Sequence, residues 1–217
     1  MKINVVQKIL EANERLALEN RSIFDKKGIF VLNLMSAPGA GKTSLIEKTV
    51  SELTGKIRIG VIEGDIQGTY DAERIGRLGI PVVQINTGGA CHLDANMINE
   101  ALNGLPLDEI DMLIIENVGN LVCPAEFYVG EDIKAMLLSL PEGHDKPLKY
   151  PLMFKESSAL VINKTDLKPY VDSDAEKIKT DSLSLNRDLK IFEVSCKTGE
   201  GIRQWAEWLY GRHSKNR

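Results

Sequence analysis

"SAPGAGKTS", residues 36–44, decides the fold. It follows the apolar run "IFVLNLM" (29–35) and opens a helix-patterned segment at 42–53. A strand that passes through a glycine-rich turn into a helix is the setting of the phosphate loop, G-x-x-x-x-G-K-[ST]. Gly41-Lys42-Thr43 fits the end of that pattern, and Ser36 stands where the first glycine is usual. Gly39, Ala40 and Gly41 are small enough for backbone N–H groups to turn inward around phosphate oxygens. Lys42 is then expected to reach the β- and γ-phosphates. Thr43 would offer its hydroxyl to Mg²⁺, with Ser44 beside it in the first turn of a helix whose dipole favours an anion.

Outward from this loop, strand-length apolar runs recur at 57–63, 81–86, 111–117, 158–164 and 190–195. A further run, "IKAMLLSL" (133–140), has a length that favours strand. Helix-patterned segments lie between them at 70–78, 93–102, 173–186 and 200–211. Strands apolar on both faces and alternating with helices predict a mostly parallel sheet of about seven strands, covered on both sides. The expected fold is α/β, a P-loop NTPase domain over 29–217. Residues 1–28 form an N-terminal helical extension, its stripe made of Val6, Ile9, Leu10, Leu16, Ala17 and Ile23 with a break at Asn13, closed by Gly28. Pro147 and Pro151 are expected to keep "PEGHDKPLKYP" (141–151) out of regular structure.

In such sheets ligands bind at the carboxyl ends of strands. "NKTD" (163–166) ends one of them. Asp166 can accept two hydrogen bonds from guanine, a donor pair adenine lacks, while Asn163 and Lys164 brace the base and the phosphate loop. "SCKTG" (195–199) follows the last strand, so that Ser195, Cys196 and Lys197 would meet the guanine from its other edge. Three motifs in order on three strand ends predict a GTP/GDP site. "EGD" (63–65) makes Asp65 a candidate for Mg²⁺ or for the attacking water. "ENVGN" (116–120) resembles the D-x-x-G switch, with Glu116 in the aspartate position and Gly119 placed for the γ-phosphate. Asn120 stands where a glutamine would orient water, so slow intrinsic hydrolysis is expected. Lys42, Asp65 and Glu116 are the catalytic candidates, and Thr43, Asp65 and Glu116 the Mg²⁺ candidates.

The chain has 217 residues, 43% hydrophobic and 27% charged, with a net charge of −4. That balance argues against sequence-independent nucleic-acid binding, which wants a basic face. No apolar stretch approaches the roughly 18 residues needed to span a bilayer, and the first residues lack the apolar core of a signal peptide. Three widely spaced cysteines do not make a disulfide framework, so a cytoplasmic chain with reduced thiols is expected. "TGGACHLDA" (87–95) sets Cys91 beside His92, and "ENVGNLVCP" brings Cys123 four residues after Gly119. Thiolate and imidazole suit Ni²⁺ or Zn²⁺. Three ligands leave a tetrahedron open, to be closed by water, by Asp94 or by a second chain across a two-fold axis. His144 and His213 are expected to face solvent.

With "SAPGAGKT", "EGDIQGTYDAERI", "NTGGACHLDA", "IIENVGNLVCPAEF", "GHDKPLKYP" and "VINKTDL" together, the chain resembles the HypB family of hydrogenase nickel-incorporation GTPases, over nearly its whole length. The resemblance implies GTP hydrolysis that drives nickel delivery to the large subunit of [NiFe]-hydrogenase, with a HypA-like nickel protein as partner. It also implies a homodimer favoured by GTP, with Cys91, His92 and Cys123 as the switch-coupled Ni/Zn site. Members with an N-terminal cysteine motif or histidine-rich tract hold nickel there, whereas the first 90 residues here contain neither Cys nor His. The related UreG family uses Cys-Pro-His, and this chain has no intervening proline. A GTP-regulated protein chaperone with structural cysteines is the alternative, and it predicts no metal dependence of dimerisation.

Overall fold

A computed structural model describes residues 5–215, with side chains from residue 8 onward; the side chain of Val6 lies outside the described residues. The strands are β1 (Phe30–Ser36), β2 (Ile59–Asp65), β3 (Val82–Asn86), β4 (Met112–Glu116), β5 (Ile133–Ser139), β6 (Ala159–Asn163) and β7 (Lys190–Glu193). They form one sheet of order β3-β2-β4-β1-β5-β6-β7, parallel throughout. The helices among the described residues are α1 (Val5–Lys27), α2 (Lys42–Leu53), α3 (Tyr70–Gly76), α4 (Ala95–Leu102), α5 (Cys123–Glu126), α6 (Lys146–Lys149), α7 (Pro151–Lys155), α8 (Ala175–Leu185) and α9 (Ile202–Lys215).

The sheet is apolar on both faces because helices cover both. On one, Leu32 and Leu34 of β1 pack with Leu45 and Ile46 of α2 and Trp205 of α9. On the other, Val31, Leu113 and Ile115 meet Phe24 of α1 and Ile98 of α4, while Met136, Leu138 and Leu160 meet Phe154 and Ile178. Each such side chain contributes about 1.5–3 kcal/mol on full burial. Helix α1 docks on its own chain. Its buried face carries Asn13, Ala17, Asn20 and Phe24, and Ile9 is exposed. Asn13 is therefore no break in the stripe. Its Nδ2 donates to Tyr128 O at 2.7 Å and its Oδ1 accepts Ala95 N–H at 2.8 Å, while Asn20 donates to Ala95 O at 2.8 Å. These amides satisfy backbone groups at the start of α4 that apolar residues would leave unpaired.

Three expectations need correction. Strand β2 ends two residues later than the apolar run suggests, so Glu63 lies inside it and Asp65 is its last residue. The 141–151 stretch is not free of regular structure, because Pro147 and Pro151 sit in the first turns of α6 and α7. Proline is tolerated there since its missing N–H has no helical partner. His213 is buried rather than solvent-facing. Helix α9 runs on to Lys215, which places His213 one turn beyond Leu209 on the buried face, its ring edge-on to Phe30 at 6.4 Å.

Candidate nucleotide site and thiol–imidazole cluster

Helix α2 starts against the end of β1, and Gly41 makes the turn with φ 105°. A Cβ there would stand 2.6 Å from Asn163 Nδ2, so only glycine allows β6 to approach this closely. Asn163 Nδ2 donates to Ala40 O at 3.0 Å, and Lys164 Nζ donates to Gly39 O at 2.7 Å. Asn163 Oδ1 accepts Cys196 N–H at 3.1 Å, which draws the loop after β7 inward. Ser195 donates to Asp166 Oδ1 at 2.6 Å. Gly41, Ser44, Asn163, Lys164, Asp166 and Cys196, together with Lys197, line an open cavity of about 370 Å³. Burial pushes the Cys196 thiol up to about 11, which keeps it protonated near neutral pH.

On the other side of Lys42 lie carboxylates. Lys42 Nζ donates to Ser36 Oγ at 3.1 Å. Burial lowers its pKa, and Glu116, Asp71, Glu63 and Glu142 oppose that shift. Thr43 donates to Glu116 Oε1 at 2.9 Å. Glu63 and Glu116 are register partners on β2 and β4, both buried. Desolvation raises both carboxyls, Glu63 to about 8 and Glu116 to about 7, with Glu116 adding to the shift on Glu63. One oxygen of each, Oε2, has no hydrogen-bond partner. Two buried carboxylates, each with an unpartnered oxygen, beside a threonine hydroxyl and a lysine fit a divalent cation and a phosphate chain.

Sequence reasoning missed Glu63, although an acidic residue within an otherwise apolar strand was a signal. It chose Asp65, whose carboxylate accepts Ile66 N–H at 2.6 Å and Gly68 N–H at 3.0 Å and so shapes the turn after β2. It also missed Arg74 of α3, whose guanidinium holds Glu47, Asp71 and Ser44 and ties α3 to α2. A Cβ on Gly119 would meet Pro38 Cα at 2.8 Å, so the loop after β4 lies directly on the phosphate loop.

That loop leads to Cys123, at the start of α5. Cys91 and His92 come from the loop after β3. Their donor atoms lie within 4.8 Å of one another, with Cys91 Sγ 3.2 Å from Cys123 Sγ and 3.7 Å from His92 Nδ1. Zn–S bonds of about 2.3 Å place two sulfurs of one tetrahedron roughly 3.8 Å apart, so small rotations suffice to hold one ion. The His92 ring lies 3.9 Å from that of Phe127, and burial lowers its pKa toward the neutral, ligating form. Burial, then the neighbouring Cys91, raises the Cys123 thiol, a bias that a bound cation reverses. Asp94 is not in the cluster. It caps α4, its Oδ1 accepting Met97 N–H at 2.8 Å.

Residues 30–193 match the family model described as the CobW/HypB/UreG nucleotide-binding domain. The hydrogenase maturation factor HypB of Azotobacter vinelandii is 50% identical over 208 residues, covering 95% of this chain and 68% of that protein. Among solved structures, HypB of Helicobacter pylori in complex with nickel matches with a TM-score of 0.90 at 38% identity, over 94% of this chain and 96% of that one. HypB of Archaeoglobus fulgidus matches with a TM-score of 0.88 at 41% identity, over 94% and 100%. No described helix is long and apolar enough to cross a membrane. On this likeness of sequence, of sheet and of domain, the chain belongs to the HypB hydrogenase maturation factors.

Proposed function

We propose that the chain is a GTP-binding and hydrolysing carrier that couples its nucleotide cycle to nickel delivery during [NiFe]-hydrogenase maturation. The observation that carries this reading is the shared loop after β4. It begins at Glu116, hydrogen-bonded to Thr43, passes Gly119 against Pro38, and ends at Cys123 in the three-donor cluster. Whatever sits on the phosphate loop therefore acts on a segment that supplies one metal ligand.

In this reading Gly39, Ala40, Gly41, Lys42, Thr43, Ser44 and Gly119 hold the phosphates. Asn163, Lys164, Asp166, Ser195, Cys196 and Lys197 hold the guanine. Thr43 and Glu116, with Glu63 beside them and Asp65 at the end of the same strand, hold Mg²⁺, which neutralises phosphate charge when bound. Lys42, Asp65 and Glu116 serve the hydrolytic step. Cys91, His92 and Cys123 hold Ni²⁺ or Zn²⁺ as cargo. An open three-ligand set suits exchange better than permanent structural binding. The partners are a second copy of the chain in the GTP state, a HypA-like nickel protein and the hydrogenase large subunit, in the cytoplasm.

The test is titration of Ni²⁺ and of Zn²⁺ into the GDP-bound chain and into the chain with a non-hydrolysable GTP analogue, with molecular mass measured alongside. Affinity or dimer mass should differ between the two nucleotides. Identical metal binding in both states would leave the cluster unconnected to the nucleotide and overturn the carrier reading.

A further inference from the structure

Two asparagines flank Gly119, and both grip the loop that bears Cys91, in different ways. Asn117 is fully buried. Its Oδ1 accepts Leu93 N–H at 3.0 Å and Val118 N–H at 2.9 Å, and its Nδ2 donates to Asn33 Oδ1 on β1 at 3.1 Å. Those bonds fix the base of the Cys91 loop to the centre of the sheet. Asn120 is half-buried and bonds three segments at once. Its backbone N–H donates to Ser36 O at 2.8 Å. Its Nδ2 donates to Cys91 O at 3.1 Å, and its Oδ1 accepts Val122 N–H at 2.9 Å.

Ser36 extends the connection inward, because its Oγ accepts Lys42 Nζ at 3.1 Å. A run of hydrogen bonds thus leads from the lysine of the phosphate loop, through Ser36 and Asn120, to the carbonyl of Cys91. The serine in place of the usual first glycine supplies one of those links. Phosphate oxygens offer the Lys42 ammonium a stronger, charged acceptor, so their arrival reorients it and alters its bond to Ser36.

We propose that Asn120 is a positioning residue that carries the nucleotide state to the metal site, holding the Cys91 loop and the turn that leads to Cys123 to the phosphate loop through one residue. The proposal rests on the carrier reading above and names the residue through which that coupling acts. Its backbone follows Ser36, its donor group holds the carbonyl of Cys91, and its acceptor keeps the turn at Val122, next to Cys123, in register. Donors that contact metal ligands in this way set ligand orientation, and their loss typically changes metal affinity about 10–100-fold. Coupling between two sites is a ratio of affinities, so it is read from that ratio and not from either affinity alone.

The experiment titrates Ni²⁺ alone, followed by thiolate-to-nickel charge-transfer absorption, into the full chain with GDP and with a non-hydrolysable GTP analogue. Wild type, Asn120→Asp and Asn120→Ala are compared. Asn120→Asp keeps the acceptor for Val122 N–H and removes the donor to Cys91 O, so it isolates the link from any disturbance of the turn. The wild-type ratio of nickel affinities should collapse to within about twofold of unity in both variants. A wild-type ratio that survives in Asn120→Asp overturns the assignment and leaves the carrier reading intact. A wild type with equal affinities in the two states overturns the carrier reading and the assignment with it.

Discussion

The carboxyl rim of the sheet is built in two styles. At the β6 and β7 end, Asn163, Lys164, Asp166 and Ser195 hold one another and the phosphate loop through side-chain bonds of 2.6–3.1 Å. At the β3 and β4 end, Cys91 is exposed and His92 and Cys123 are half-buried. Their donors face one another, and the cluster is joined to the phosphate loop through Asn120. The first arrangement is set before any ligand arrives, which suits recognition of one base. The second is held by few buried contacts and draws its ligands from two loops, which suits a site whose affinity must change.

The largest effect that breaks the comparison belongs to the rigid end. Asp166→Ala removes an acceptor already oriented by Ser195, so guanine N1–H and its amine lose a charged partner. Two hydrogen bonds to a carboxylate, at about 1.5–3 kcal/mol each, correspond to a preference of at least a hundredfold. Competition of GTP against ATP should show that preference gone. Unchanged selectivity would mean that the cavity beside Asn163 does not hold the base. At the adaptable end the effect is smaller. Cys123→Ser should weaken Ni²⁺ binding roughly ten- to a hundredfold and remove its dependence on nucleotide, because a softer ligand is replaced by a hard, weak one. GTP binding should persist, and its loss would make Cys123 a packing residue.

The two ends were not equally legible in the sequence. The sheet and its seven strands follow from apolar runs between helix-patterned segments, and even β5, ambiguous by periodicity, fell to strand on length. The residues that line the cavity beside Asn163 lie in short contiguous segments, so the chain alone is enough to pick them out. Cys91 and Cys123 are far apart in sequence and become neighbours only because β2 and β4 are adjacent in the sheet and β3 borders β2. Strand order decides that juxtaposition, and the sequence could only suggest it through shared strand ends. Polar contacts were least visible. Asn13 looks like an interruption of an apolar stripe until Ala95 and Tyr128 come to meet it, and Asp94 looks like a ligand until α4 starts beside it. Glu63 is hard to read as a site residue because the apolar run stops at it, whereas the strand continues to Asp65 and buries Glu63 against β4.

Glu63 gives the smallest of these effects and the sharpest one, since it lies between the two ends. Its folded pKa of about 8 and that of Glu116, about 7, stand above their ordinary value near 4.5, chiefly through desolvation. A carboxyl whose folded pKa is raised keeps its proton in the native chain over a range where the unfolded chain has lost it. Stability then falls as pH rises from the unfolded value to the folded one, and levels off above it. The nucleotide-free chain should accordingly lose melting temperature between about pH 5 and pH 8, by several degrees. Glu63→Gln removes the ionisable group while keeping its shape, so the slope over that interval should flatten and the variant should melt higher than wild type at pH 8. Mg²⁺ with nucleotide should flatten it too, because a cation beside Glu116 and Glu63 replaces the protons they hold and lowers both pKa values. A wild-type melting temperature that is level or rising from pH 5 to pH 8 would show the two carboxyls ionised in the folded chain. The pair would then be solvated, and the pocket under Thr43 open to water before any cation enters it.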